Sequence, residues 1–298
     1  MIRYIAFCKI VEYGSFTKAA DALGYTQAAV SQMIRSLESE YKLTLMTRTR
    51  TGVHLTPEGE ILYPYIQKTV AAARSLQDKA REILAMDAGE IRIGAVSSVS
   101  QHMLPQMIKK FGMEFPHICF RLYEGDYTTM GDWLRSGYVD FCFADLTAMH
   151  GFHTIVLAKD SFMAVLPKGH PLSRNIVVPL TALASEPMIV AEEGNVSTVL
   201  NTLSSIGIKP NVQYIVHDDN TILAMVEQGL GFSILPAMVL DKTNYSFTAL
   251  PTNPVIERQI GIVYQEMEQM PLASQQFLHF MIESPHEYIT GHYRHPSE

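Results

Sequence analysis

Residues 26–38, TQAAVSQMIRSLE, contain side chains whose chemistry suits recognition of a nucleic-acid base. Gln can pair bidentately with adenine, Arg with guanine, and a Ser hydroxyl can bond to a base or a phosphate. If this segment is a helix, one of its faces carries Gln27, Ser31, Gln32 and Arg35. A solvated helix that is poor in charge would look the same, so the neighbouring segments must decide between the two interpretations.

The first 40 residues contain three stretches with apolar residues at positions i, i+3, i+4 and i+7, the spacing of one helical face. The three sets are Tyr4, Phe7, Cys8, Val11, then Phe16, Ala19, Ala20, Leu23, then Val30, Met33, Ile34, Leu37. Gly14 before Ser15, and Gly24 before Thr26, are typical of a helix end followed by a new N-cap. The short connection before the third helix predicts a helix-turn-helix, with the candidate base-contacting side chains pointing outward.

A β-hairpin is predicted next, in residues 45–56, LMTRTRTGVHLT. Small or basic residues alternate there with apolar ones around a central Thr-Gly pair, as in two paired strands. Arg48, Arg50 and His54 would lie on this hairpin. Their charge and hydrogen-bonding groups suit contacts with phosphate or the minor groove, so the hairpin is interpreted as a wing beside the third helix.

A long helix is predicted to start after Thr56, where Pro57 and Glu58 follow a good N-cap residue, and to continue almost to Gly89. Spacings of three and four residues connect Leu62, Tyr65, Thr69, Ala72, Leu76, Lys79, Ile83 and Met86. Such a seam favours pairing with a second copy, with packing against the helix's own domain as the alternative. A dimer would present two third helices to a two-fold site on DNA.

From residue 89 onward, short apolar runs alternate with amphipathic helical stretches. The predicted strands are residues 91–96, 118–124, 139–144, 161–167, 187–193, 212–218 and 231–236, and the predicted helices 101–115, 128–136, 196–206 and 219–229. This alternation predicts parallel, doubly wound sheets in two subdomains. Ligands of such sheets bind beyond the carboxyl ends of the strands, so a cleft between the subdomains is expected.

The predicted cleft residues leave the charge of the ligand open. Those expected to line the cleft are Ser97, Ser98, Ser100, Tyr127, Thr128, Glu193, Ser197, Thr198 and Phe232. The serines after the first strand offer hydroxyl and backbone N–H groups to an anion. Asp126, Asp145, Glu192 and Glu193 instead favour an amine or an amino acid, and both alternatives stay open.

The chain resembles the LysR-type transcriptional regulators, which are bacterial winged helix-turn-helix proteins. The matching positions are Ser15, Phe16, Ala19, Ala20, Leu23, Gln27, Ala29, Val30, Ser31, Ile34, Leu37, Glu38, Leu45, Arg48, Leu55, Thr56 and Gly59. IRIGAVSSVSQHMLP, LYEGDYTTMGDWLRSGYVDF and ILAMVEQGLGFSILP are similar to the family's effector-binding domain, itself similar to periplasmic binding proteins. The resemblance implies an α/β fold class with an N-terminal all-α winged helix-turn-helix and a C-terminal two-subdomain, periplasmic-binding-protein-like, doubly wound domain.

The expected domain boundaries follow from this resemblance together with the helix and strand pattern. They are a DNA-binding domain at residues 1–58, a linker and dimerisation helix at 59–88, and an effector-binding domain at 89–298, with subdomain I at about 89–161 and 264–298 and subdomain II at about 162–263.

The resemblance also implies a function. It is that of a regulator binding a pseudo-palindromic site on double-stranded DNA, modulated by a small-molecule effector in the cleft. The resemblance further implies a homotetramer, with a homodimer as the alternative, and contact with RNA polymerase. By resemblance, the major groove receives Gln27, Ser31, Gln32 and Arg35. Arg48 would hold the backbone or the minor groove.

Composition is consistent with one small DNA-binding module on a larger body. The 298 residues are 47% apolar and 18% charged, as in globular proteins of two or three domains. The net charge is −7, yet residues 1–88 hold 11 Lys or Arg against 9 Asp or Glu, whereas the remainder holds 12 against 21. No apolar run approaches the roughly 20 residues that span a bilayer, and no secretory signal pattern opens the chain. We therefore expect a cytoplasmic protein without a membrane partner.

Several other chemistries are not favoured. Cys119 and Cys142 fall on the second and third predicted strands, which the first strand should separate, so a redox pair is not expected. The histidine-rich tail, residues 286–298, matches no metal motif, and neither a metal nor a cofactor is predicted. The chain has no nucleophile elbow, P-loop or HExxH motif, which argues against an enzyme. A solute-binding protein on the same α/β pair is the main alternative to a regulator.

Overall fold

The structure is a computed structural model, and it describes residues 1–49, 52–83, 89–241 and 243–283. The chain divides into two compact units, Met1–Met86 with Arg135–Tyr138, and Asp87–Leu134 with Val139–Glu298. Among the helices of the described ranges, none has the length and apolar character needed to cross a membrane.

Three short helices open the N-terminal unit, namely α1 (Ile2–Tyr13), α2 (Phe16–Leu23) and α3 (Gln27–Tyr41). The predicted caps are present. Ser15 Oγ accepts a hydrogen bond from Lys18 N at 3.3 Å, and Thr26 Oγ1 accepts one from Ala29 N at 3.2 Å. These caps satisfy backbone N–H groups that have no partner inside the helix, so they define where α2 and α3 begin.

The core of this unit is built from the apolar faces that the periodicity predicted. Its fully buried members come from all three helices and from the segment before the hairpin; they are Ala6, Phe7, Ile10, Ala19, Ala20, Val30, Ile34, Leu37 and Leu45. Burial of the Phe, Ile, Val and Leu side chains in this set contributes about 1.5–3 kcal/mol each, which is the main force that holds three short helices together.

The wing consists of β1 (Met46–Thr49) and β2 (Gly52–Leu55), paired antiparallel, and α4 (Pro57–Ile83) follows it. Thr56 connects the two elements, because its Oγ1 donates to Thr44 O at 2.7 Å and accepts from Gly59 N at 3.0 Å. A Cβ on Gly59 would lie 2.1 Å from Leu45 O, so only glycine allows α4 to start this close to the strand.

From residue 89 onward, the described residues form ten strands and seven α-helices. In chain order they are β3 (Gly89–Ala95), α5 (Ser97–His102), α6 (Leu104–Glu114), β4 (Ile118–Glu124), α7 (Tyr127–Ser136), β5 (Phe141–Asp145), β6 (His153–Pro167), β7 (Val178–Pro179), β8 (Pro187–Ala191), α8 (Thr198–Ser205), β9 (Asn211–Val216), α9 (Asp219–Glu227), β10 (Ser233–Pro236), α10 (Ala237–Leu240), β11 (Phe247–Asn253), β12 (Glu257–Tyr264) and α11 (Leu272–Glu283). Short 3₁₀ turns lie at Pro171–Arg174, Leu180–Leu183 and Met267–Gln269.

The sheets form two subdomains that share the long strand β6. Strand order is β4-β3-β5-β12-β6-β11-β7, with β10 also paired to β6 and with β8 paired to β9. The predicted fold class is confirmed, and the order two, one, three of β4, β3 and β5 is as expected. The expectation that the sheets are wholly parallel is wrong, since β12 runs antiparallel to β5, and β6 runs antiparallel to β10 and β11.

The continuity of β6 explains this difference. It pairs with β12 as far as Ser161 and with β10 from Phe162 onward, so one strand passes from the first sheet into the second. Because β12 lies between β5 and β6, we propose that subdomain I starts again near residue 257, rather than near 264.

Each subdomain has its own core. Aromatic side chains dominate the first, where Phe111 packs edge-on against Phe277 at a centroid distance of 4.9 Å. The second consists mainly of aliphatic side chains such as Leu166 and Val178, together with Met188 and the ring of Phe162. Cys119 and Cys142 lie on β4 and β5, on opposite sides of β3, as the strand order requires.

Candidate functional site

The outer face of α3 carries three of the four predicted base-contacting side chains. Gln27, Gln32 and Arg35 are exposed, and so is the small Ala28 beside them. Val30, Ile34 and Leu37 are buried on the opposite face. The exposed face therefore holds amide and guanidinium groups without any carboxylate, which is the composition that a base-reading helix needs.

Ser31 does not point outward, and the prediction that it does is wrong. Its exposed fraction is only 8% because a side chain of the wing covers it. Arg48 Nη2 donates to Ser31 Oγ at 2.9 Å, while Gln27 Nε2 donates to the same oxygen, also at 2.9 Å. The Arg48 guanidinium lies over the Phe16 ring at 3.8 Å from the centroid. Ser31 thus connects α3 to the wing.

The remaining wing residues are only partly described. Arg48 and His54 are exposed on β1 and β2. Arg50 lies outside the described residues, together with the tail from residue 284. The hydrogen bond from Arg48 to Ser31 joins residues 17 positions apart in the chain, and no periodic pattern in the sequence predicts it.

Helix α4 exposes large apolar side chains along most of its length. The exposed fractions are 68% for Ile61, 67% for Tyr65 and 72% for Leu76. Leu62, the first member of the predicted seam, instead packs against the N-terminal core. The seam from Tyr65 to Leu76 is thus exposed, whereas its start belongs to the domain's own core.

A cavity of about 140 Å³ lies where the two subdomains of the C-terminal unit meet. Five predicted residues line it, namely Ser97, Ser98, Tyr127, Glu193 and Ser197. They come from the start of α5, the start of α7 and the loop before α8. The predicted position beyond the carboxyl ends of β3, β4 and β8 is therefore where the cavity is found.

Four other predicted residues are not among those that line it. The hydroxyl of Thr128 accepts a hydrogen bond from Asn195 N at 3.0 Å. The Thr198 hydroxyl donates to a carboxylate in the neighbouring subdomain, as described below. Phe232 is buried in the core of the second subdomain, and the buried Ser100 hydroxyl has no hydrogen-bond partner in the described part of the chain. The hydroxyls of Thr128 and Thr198 thus link segments around the cavity rather than form its surface.

Close packing joins the loop of residues 192–197 to the start of α7. Gly194 adopts a φ of 81°, and a Cβ there would lie 2.5 Å from Asp126 Oδ1. Only glycine accommodates both that backbone conformation and that approach. Together with the bond from Asn195 to Thr128, this packing closes one side of the cavity.

Arg258 on β12 is a cavity residue that the sequence reasoning missed. Its side chain is almost fully buried, and its Nε and Nη2 donate to Asp160 Oδ2 at 2.9 and 2.7 Å. Nη2 also lies 3.0 Å from Ser98 Oγ, to which it donates. The only sequence signal was a charged residue inside the apolar run around RQIGIVY, and its partner Asp160 is 98 positions away.

Carboxylates on both subdomains face the cavity or support it. Ser97 Oγ donates to Asp219 Oδ2 at 2.6 Å, and Thr198 Oγ1 donates to Asp145 Oδ2 at 2.9 Å. Burial raises the pKa of Glu193 to about 7, although the hydrogen bond from Ser197 and the charge of Arg258 act in the opposite direction. Burial likewise raises the pKa of Asp219. Desolvation therefore outweighs the local stabilisation of both carboxylates.

Comparison with known protein families covers nearly the whole chain. Residues 3–60 match the family described as "Bacterial regulatory helix-turn-helix protein, lysR family", and residues 85–285 match the "LysR substrate binding domain". The two matches coincide with the helix-turn-helix and wing, and with the unit that holds the cavity.

Individual relatives agree with this assignment. The transcriptional regulator YvbU of Bacillus subtilis (strain 168) is 30% identical over 280 residues, covering 91% of this chain and 94% of its own. The transcriptional dual regulator GltC of the same strain is 27% identical over 268 residues, covering 86% and 87%. The structure of CbnR, a LysR family transcriptional regulator, superposes with a TM-score of 0.69 at 19% identity, over 95% of this chain and 98% of CbnR. The chain therefore belongs to the LysR family of bacterial transcriptional regulators.

Proposed function

We propose that α3 reads base edges in the major groove of double-stranded DNA, and that a small molecule in the cavity controls how the oligomer engages its site. The single observation that carries the DNA-reading assignment is the exposed, carboxylate-free face formed by Gln27, Gln32 and Arg35. CbnR, whose fold this chain shares, has also been solved in complex with its target DNA. A regulator acting on DNA works in the cytoplasm, and this role requires no catalysis.

The wing has a second proposed role. Arg48 donates a hydrogen bond to Ser31 and lies over the ring of Phe16, so it fixes the angle between the wing and α3. The exposed part of its side chain then contacts a phosphate or the minor groove. Gln27 and Ser31 are then positioned by the same hydrogen-bond network. His54, which is exposed on β2, extends this proposed backbone-contacting surface, and a contact of Arg50 with DNA stays a prediction from the sequence.

Replacing Arg48 by Ala is expected to weaken binding to unrelated DNA as well as to the protein's own site, because the lost phosphate contact carries no sequence information. The slope of log affinity against log salt should fall in magnitude by about one. Titration of labelled duplexes at several salt concentrations measures both quantities. Thr47→Ala, at an exposed position of the same strand, serves as the control. A loss confined to one DNA sequence would contradict the proposed backbone contact.

We propose that the exposed stripe on α4 pairs with a second copy, giving a homodimer or a homotetramer. Side chains such as Tyr65 and Leu76 are rarely this exposed on one face without a partner. A two-fold pair of recognition helices would then read a pseudo-palindromic site, with half-sites about one helical turn of DNA apart. Contact of the assembled regulator with RNA polymerase completes the proposed activity.

Leu76→Glu is expected to weaken this pairing, because a charge would replace an apolar side chain in the interface. Sedimentation over a range of protein concentrations should show a dissociation constant at least about tenfold higher than that of the wild type. Ser75→Glu, one position along the exposed helix, is the matched control. Equal assembly of Leu76→Glu and the wild type would show that the stripe is not the interface.

Selection of bound sequences from a random DNA pool tests the proposed function as a whole. The wild-type protein should enrich a motif with two-fold symmetry. Enrichment of no motif, or of one without symmetry, would contradict the dimeric reading of DNA by α3.

A further inference from the structure

The side chains that line the cavity carry a strong excess of negative charge. Among the described residues that line it, six are carboxylates, namely Glu124, Asp126, Glu192, Glu193, Asp218 and Asp219, and only Arg258 and His217 can carry positive charge. Two of the six cap helices, since Asp126 accepts from Thr129 N and Asp218 accepts from Thr221 N. Glu193 and Asp219 are the partly buried acids left to face the cavity, and they interact electrostatically.

Arg258 does not balance these acids, because a buried carboxylate already matches its charge. Two of its nitrogens donate to Asp160 Oδ2, and Asp160 lies outside the lining of the cavity. The second oxygen of Asp160, Oδ1, accepts no hydrogen bond within the described ranges. The hydrogen-bond-accepting capacity of this carboxylate is therefore not used up by Arg258. An incoming anion would therefore meet a neutralised guanidinium and several uncompensated acids.

The serines that favoured an anion in the sequence are also occupied. Ser97 uses its hydroxyl proton to bond to Asp219, and Ser98 accepts from Arg258. Their helix, α5, has only six residues and ends at His102. An anion at this point would have to displace a carboxylate, which removes the main argument for an anionic ligand.

The rest of the cavity wall is apolar. Apart from the amide of Gln101 and the ring of Tyr127, it is formed by aliphatic and aromatic side chains such as Phe162, Met188, Val190 and Ile234. A dry cavity of roughly 150 Å³ holds a molecule of the size of benzene, which is close to the volume found in this protein. The wall therefore suits a short hydrocarbon or a single ring attached to the charged end of a ligand.

We propose that the effector is a small organic cation, whose ammonium group lies between Glu193 and Asp219 and whose apolar body packs against Met188 and Val190. This inference rests on the proposed effector role of the cavity. A cation there supplies the missing countercharge, and it can replace the proton of Ser97 as the partner of Asp219. Because Ser97 and Asp219 belong to opposite subdomains, occupancy would change a contact between them.

Calorimetric titration of the full-length protein with three probes of similar shape tests the proposal. Benzylamine, benzyl alcohol and benzoate differ mainly in charge. At about pH 8, benzylamine is expected to bind at least about tenfold more tightly than either of the others, since a partly buried charge pair contributes strongly to affinity. Glu193→Gln, which keeps a hydrogen-bonding group beside Ser197, should remove most of this advantage while leaving benzyl alcohol unaffected.

The pH dependence gives a second readout. Protonation of Glu193 removes its charge, so benzylamine should bind more weakly as the pH falls from about 8 to about 6, and this dependence should be reduced in Glu193→Gln. The groups that face Glu193 electrostatically are Arg258, Asp145, Asp219 and Tyr127. Of these, Asp219 also has a pKa that burial raises, and its protonation would weaken the binding of a cation in the same way.

The outcomes separate the ligand class from the effector role. If benzoate binds more tightly than benzylamine, and more tightly still to Glu193→Gln, the cavity takes an anion. This result would overturn the cation assignment but would leave the effector role of the cavity unchanged. Failure of all three probes to bind at about 10 mM would overturn both. Selective benzylamine binding that Glu193→Gln abolishes supports both.

Discussion

Replacing Arg35 by Ala is expected to remove most of the protein's preference for its own DNA site over unrelated DNA. Arg35 is exposed on the reading face of α3 and has the planar fork that pairs with guanine. Each such contact contributes about 1–3 kcal/mol of discrimination, and a dimer makes it twice. The combined loss of about 2–6 kcal/mol corresponds to a factor of roughly 30 or more in the specificity ratio.

Arg35→Lys is the matched control for this prediction. It retains the positive charge but loses the two-pronged geometry, so non-specific affinity and its salt dependence should stay close to those of the wild type while specificity falls. Competition titrations of the selected site against unrelated DNA measure the ratio directly. An unchanged ratio in Arg35→Ala would show that α3 does not read bases through this residue.

Replacing Arg258 by Met is expected to destabilise the C-terminal unit strongly. The change leaves the carboxylate of Asp160 buried without its countercharge, since Asp160 and Arg258 are 2% and 3% exposed. Removing one partner of a buried ion pair costs about 3–5 kcal/mol. For a domain of this size that corresponds to a fall of roughly 10 °C in the unfolding midpoint.

The double variant Arg258→Met, Asp160→Leu distinguishes an unpaired charge from a lost contact. Replacing both partners by apolar side chains is often neutral in free energy, so the double variant should recover much of the lost stability. Arg121→Met is the surface control, because Arg121 pairs with Glu90 at 2.7 Å near solvent and such pairs contribute at most about 1 kcal/mol. Scanning calorimetry of the full-length variants gives the midpoints. A double variant as unstable as Arg258→Met would contradict the electrostatic explanation.

Several structural features were predictable because their causes are local in the chain. The N-caps Ser15 and Thr26 bond to N–H groups three residues later, so a short window of sequence contains the whole interaction. The apolar faces of α1, α2 and α3 follow the helical repeat for the same reason. The strands β3, β4 and β5 were recognisable as short apolar or alternating runs between helices.

Other features depend on partners that are distant in sequence. Strand β6 begins with HTIVLAKD, which is neither a continuous apolar run nor a clean alternation. It nevertheless pairs along most of its length with β11 and β12, which follow it by roughly 80–110 positions. The antiparallel direction of β12 follows from the return of the chain to the first sheet. A local pattern contains no information about such a return.

The sequence by itself determined the winged helix-turn-helix, the existence of two α/β subdomains and the residues from which a DNA-reading face could be made. Only the tertiary structure decided which of those side chains are free. Ser31 is covered by Arg48 from 17 positions away, and the serines of the cavity are bonded to Asp219 and Arg258 from more than 120 positions away. The physical reason is that helix periodicity and capping act within a few residues, whereas the exposure and charge balance of a side chain depend on every chain segment folded against it.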